Sequence, residues 1–181
     1  MRRTIIASAA ALFIGGASVL TLAVPAFAAT GPAVGTPVTV EVTGGDLIIS
    51  APTGPVDLGS RTTSGSDHVV SAPLGNVVVT DNRAGTAGWT ATVSATDFTG
   101  PQVISTSTFG LVVYTAGTAT VTGPATVTGS TESTLSTGGP AQTATIVGGN
   151  NTATWNPTIA VTIPANALAG SYGTSITHSV S

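Results

Sequence analysis

The feature that most limits how this chain can fold is an alternation of apolar and hydroxyl-bearing residues at period two. Trp89, Ala91, Val93 and Ala95 alternate with Thr90, Thr92, Ser94 and Thr96. Such spacing puts each set of side chains on its own face of an extended strand. Val38, Val40 and Val42 repeat the pattern against Thr39 and Glu41, and Thr43-Gly44-Gly45-Asp46 follows as a turn into Leu47 to Ser50. Val77 and Val79 lead into a loop from Asp81 to Gly88. Further strands are expected at Phe109–Thr115, Thr118–Thr122, Gln142–Val147, Asn151–Ile163 with a break near Pro157, and Ser171–Val180. In the last of these, Tyr172, Thr174, Ile176, His178 and Val180 share one face, and a polar or small set takes the other. No run of a dozen residues beyond the leader has helical periodicity with caps. The 34 Thr and 23 Gly favour strands and turns. The reading is an all-β chain in two stacked antiparallel layers, a β-sandwich of Ig-like spacing.

Residues 1–28 read as an export signal, leaving 29–181 as one β-sandwich domain. Arg2 and Arg3 precede an uncharged apolar stretch from Ile5 to Leu22, then Pro25 and the small-x-small triplet Ala26-Phe27-Ala28. A plain positive n-region fits the Arg pair better than a twin-arginine signal, which lacks its polar and aromatic surroundings. Cleavage after Ala28 implies a secreted protein with no membrane span of its own. It also leaves Arg61 and Arg83 against seven acidic residues, with no Lys. Nucleic acid is excluded as a partner, because phosphate neutralisation needs clustered cations. The absence of Cys excludes disulfides, thiol chemistry and Cys-ligated metal.

Two stretches carry a family resemblance. One is Leu74-Gly75-Asn76-Val77-Val78-Val79-Thr80-Asp81-Asn82-Arg83, continued by Gly88-Trp89 and the strand to Phe98. The other is Trp155-Asn156-Pro157-Thr158-Ile159-Ala160-Val161-Thr162-Ile163-Pro164-Ala165 with Ala169-Gly170-Ser171-Tyr172. Over residues 36 to 181 the chain resembles the WxL domain of Gram-positive surface proteins. The resemblance implies non-covalent attachment to the cell wall, with peptidoglycan or another wall glycan as ligand and no cofactor. The Trp-x-Leu motifs are altered: the first reads Trp89-Thr90-Ala91 and the second His178-Ser179-Val180.

The residues allow two roles for these positions. A Trp-x-Leu spacing places two large groups on the same side of a strand, as core anchors. Alternatively, an exposed Trp89 face stacks on sugar C–H groups. Asp81, Asn82 and Arg83 either organise their own loop or offer amide and guanidinium donors to a glycan or a peptide carboxylate. Catalysis is not expected. Asp67-His68 reads as a turn-entry Asp beside a surface His, no Gly-x-Ser-x-Gly elbow opens a helix, and Glu41 and Glu132 are the only Glu. No Asp-x-Asp-x-Asp calcium loop occurs, so no metal is expected. Two functions follow from different classes: a wall-binding module, or a structural protein that self-associates or binds another surface protein through a strand edge.

Overall fold

Residues 35–108 and 110–181 are described by a computed structural model. The segment 1–28 read as an export signal lies outside them. By contact density the chain divides into Met1–Val40 and Glu41–Ser181. Of the first unit only residues 35–40 are described, and they form no strand.

The second unit is all-β, with three antiparallel sheets and no helix among the described residues, an arrangement consistent with a β-sandwich. The strands in chain order begin with β1 (Leu47–Ser50), β2 (His68–Pro73), β3 (Val77–Asp81) and β4 (Trp89–Ala95). The middle of the chain supplies β5 (Val112–Thr115), β6 (Thr120–Thr122), β7 (Thr126–Gly129) and β8 (Thr131–Glu132). The last four are β9 (Gly139–Thr145), β10 (Asn151–Trp155), β11 (Thr158–Ile163) and β12 (Ile176–Val180). Each sheet has four strands, ordered β1-β3-β10-β6, β2-β11-β5-β8 and β12-β4-β9-β7.

Alternation decides which side chains are buried. In β4, Trp89, Ala91, Val93 and Ala95 are buried and the intervening Thr and Ser are half-buried. β10 repeats this with Asn151, Ala153 and Trp155 inward. From Ser171 to Ser181 every second residue is half-buried, Tyr172 through Val180, and every other one is exposed. Pro157 has no N–H to give a ladder. It stands where the chain leaves β10 in one sheet and enters β11 in another, so the expected break near Pro157 is a sheet-to-sheet crossing. One cluster of buried residues draws on all three sheets and includes Trp89, Tyr114, Trp155 and Ile159. Each indole is only 2% exposed. Burying an aromatic of that size contributes roughly 4–6 kcal/mol by area, before the cost of ordering it.

Several expectations change. Val38–Val42 forms no strand, and Val38, Val40 and Val42 are 89%, 88% and 82% exposed. Alternation produces a strand only where a neighbouring strand accepts its backbone, and none pairs there. Of the expected strand Phe109–Thr115, Phe109 lies outside the described residues and β5 covers Val112–Thr115; Thr118–Thr122 and Ser171–Val180 shorten to β6 and β12, and Gln142–Val147 shifts to Gly139–Thr145. β9 carries an irregularity: Ala91 pairs with Gln142 but Thr92 with Pro140, so Ala141 is an extra residue of a bulge. A bulge breaks period two, and Ala141 and Gln142 are both buried in succession. β2, β7 and β8 are strands in addition to those anticipated.

Candidate functional site

The loop after β3 is tied down from below. Asp81 is 1% exposed at the end of its strand. Its Oδ1 accepts from the Arg83 backbone N–H at 3.1 Å, the side-chain turn that Asp forms two residues on. The Arg83 guanidinium donates to the same carboxylate through Nε at 2.9 Å and Nη2 at 3.1 Å, in a bidentate pair. Nη2 also donates to the carbonyls of Ala87 at 3.3 Å and Gly88 at 3.1 Å, closing the loop on itself. Hydrogen bonds from Arg83 hold the Asp81 carboxyl below the usual carboxylate range, against the opposing effect of burial. Below the loop, Asn82 N–H donates to Asp46 C=O at 2.9 Å and Gly45 N–H to Asn82 C=O at 2.7 Å. A Cβ on Gly88 would collide with the Ala144 carbonyl, which explains a Gly before Trp89.

The loop continues into the core through Trp89. Its Nε1 donates to Asn151 Oδ1 at 3.1 Å, and Asn151 Nδ2 donates to Asp81 Oδ2 at 3.4 Å. Of the four expected ligand-binding residues, Asp81, Arg83 and Trp89 therefore belong to one structural network. Sugar stacking needs a solvated indole face, and Trp89 has none. Asn82 is exposed, together with residues 84–88. Ala84 holds φ 55°, a left-handed conformation that a non-glycine side chain adopts only under constraint.

The two altered Trp-x-Leu positions converge. Val180 pairs with Ala91 and His178 with Val93 across β12 and β4. Ala91 is fully buried, and His178 and Val180 are half-buried. His178 Nε2 lies 3.1 Å from Tyr114 Oη, and the two rings are 5.6 Å apart. Trp155 Nε1 donates to the same Oη at 3.2 Å. The phenol oxygen accepts from Trp155, and the hydroxyl shares a second hydrogen bond with His178 Nε2 whose direction follows the imidazole tautomer. The chain Trp155–Tyr114–His178 joins one residue from each sheet. Burial lowers the His178 pKa and pushes the Tyr114 phenol up to about 12.

A concave region lies beside β2. It is a cleft of about 760 Å³, walled by the segment Asp57–Ser66 and by Pro164–Tyr172. Its floor includes Val70, Phe98, Ile104, Val161 and Ile163. The walls are tied by Asn166 N–H to Ser64 C=O at 2.9 Å. Asp67 Oδ1 accepts from Ala165 N–H at 2.7 Å, so the carboxylate beside His68 is an anchor for the wall. Nothing in the alternation pattern signals this cleft, because its walls are loops of opposite ends of the chain.

Among the described residues no group of three or more His, Asp or Glu is placed to hold a metal ion. Asp97 accepts from Thr106 N–H at 2.6 Å and from the hydroxyls of Thr106 and Ser105, which caps a turn and lowers its pKa. No family model, no curated protein and no solved structure matches the chain.

Proposed function

We propose that this is a secreted, non-enzymatic, Ig-like β-sandwich, related to WxL domains, that attaches non-covalently to cell-wall peptidoglycan. The observation that carries the reading is the loop from Asn82 to Gly88, exposed except at half-buried Arg83 and held in one shape by the ion pair of Arg83 with buried Asp81. A polar surface organised before binding loses less entropy when it meets a ligand. Arg83 and Asp81 position the loop. Asn82 contributes an amide and Thr86 a hydroxyl, which suit the hydroxyl and acetamido groups of a wall glycan. Trp89, Ala91, His178 and Val180 serve the same surface as core support. A domain with formal charge −5 after cleavage is repelled by anionic polymers, so hydrogen bonding supplies the attraction.

Cosedimentation with purified peptidoglycan tests this. The wild-type protein is retained above an inert-protein control, and Asn82→Ala with Thr86→Ala lowers retention at least tenfold while the unfolding midpoint stays put. Retention no greater than the control ends the proposal.

A further inference from the structure

Arg61 stands out on charge alone. The described residues contain two arginines, and Arg83 is spent on Asp81. Arg61 lines the 760 Å³ cleft, is exposed, and makes no ion pair or side-chain hydrogen bond among the described residues. Asp57 also lines the cleft and keeps its charge, its Oδ1 accepting from Gly59 N–H at 2.8 Å, so a carboxylate ligand has to sit on the side of Arg61 away from it. Asp67, next in sequence to His68, is occupied by Ala165. The cleft therefore offers a guanidinium at its rim above an apolar floor.

The rim adds a second requirement. The backbone of Ser60 to Thr63 makes no hydrogen bond among the described residues, and Ser60, Thr62, Ser64 and Ser66 place hydroxyls along the same wall. An alkyl chain has no use for such groups, whereas a peptide has amides to pair with them. The floor of Phe98, Ile104, Val161 and Ile163 suits small apolar side chains.

We infer that the cleft between Asp57–Ser66 and Pro164–Tyr172 binds the free carboxylate end of a short peptide with small apolar side chains, anchored on Arg61. The peptide lies along the Ser60–Thr63 backbone, its terminal carboxylate meets the guanidinium in a forked pair, and its methyl groups face the floor. As to the ligand's source, this rests on the wall-binding reading, because the stem peptides of peptidoglycan end in D-alanine.

The test is titration of the purified protein with acetyl-D-Ala-D-Ala as the free acid, followed by amide chemical shifts and calorimetry. The free acid shifts amides of residues 57–66 and 164–172. The C-terminal amide of the same dipeptide binds at least tenfold more weakly, and Arg61→Gln weakens the acid by a similar factor without moving the unfolding midpoint. Binding of acid and amide alike, an unchanged affinity in Arg61→Gln, or no shift in the cleft overturns the inference. Equal affinity for the L,L dipeptide overturns the wall stem peptide as its source. Because the probe is a soluble dipeptide, the cleft and the wall-binding loop fail separately: loss of peptidoglycan retention in Asn82→Ala leaves this titration unchanged.

Discussion

Trp89 and Asn151, 62 residues apart, meet at 3.1 Å through the indole N–H and the amide oxygen, and the same amide donates to Asp81. A core aromatic, a strand residue of β10 and the buried carboxylate of the loop thus form one unit. Asn151 is 4% exposed. Asn151→Ala leaves the Trp89 N–H without its acceptor, at a cost of about 1–3 kcal/mol. Urea unfolding of the variant reads this as a lower midpoint with an unchanged slope.

Tyr114 is the corresponding junction on the other side of the core. Tyr114→Phe removes the acceptor of Trp155 and the hydrogen-bond partner of His178 in one step. The ring and its packing remain, so the expected loss is that of the hydrogen bonds, about 1–3 kcal/mol. Calorimetric unfolding of Tyr114→Phe measures it, and the double variant Tyr114→Phe, His178→Phe separates the two bonds.

The same junction makes stability depend on pH. Burial lowers the His178 pKa, so the folded chain prefers the neutral imidazole beside Tyr114. That contribution is complete above the unfolded pKa of about 6.5 and is lost as pH falls through the lower folded value. The Asp81 and Asp97 carboxyls, both lowered, add a second loss as pH falls below about 4. Tyr114 acts in the opposite direction: its contribution is present below about 10 and is lost as pH rises through about 12. Melting temperature against pH thus declines in two steps on the acid side. His178→Gln, which does not titrate and keeps an amide for the phenol, abolishes the step that begins below the ordinary histidine value and keeps the carboxylate one.

The altered motif carries a packing prediction. Restoring the leucine of the first Trp-x-Leu by Ala91→Leu inserts three carbons at a fully buried position, next to the bulge at Ala141. Overpacking there costs about 1–3 kcal/mol. An unfolding midpoint unchanged or raised in Ala91→Leu shows that the core has room the structure does not.

The strands best foreseen in the sequence are those with one face in the core. Trp89 to Ala95 and the run from Tyr172 to Val180 follow their alternation residue by residue, and Pro157 marks the crossing it implies. The pairing of Arg83 with Asp81 was equally accessible, since an Asp two residues before an Arg can bind both its backbone and its guanidinium. What the pattern could not reveal depends on distant partners. Asn151 reads only as the first residue of a strand until Trp89 and Asp81 are seen beside it. Val38 to Val42 has every local mark of a strand and lacks a neighbour. Arg61 sits in a polar stretch without periodicity, and only the approach of Pro164–Tyr172 makes its surroundings concave.

Adding soluble peptidoglycan fragments to the isotopically labelled protein, and following every backbone amide, tests wall recognition most directly. The expected result is saturable shifts confined to residues 82–88 and to the two walls of the cleft, with Trp89 and Trp155 indole N–H signals unmoved. Spectra that stay unchanged at millimolar fragment, or shifts centred on the sheet edges instead, contradict it.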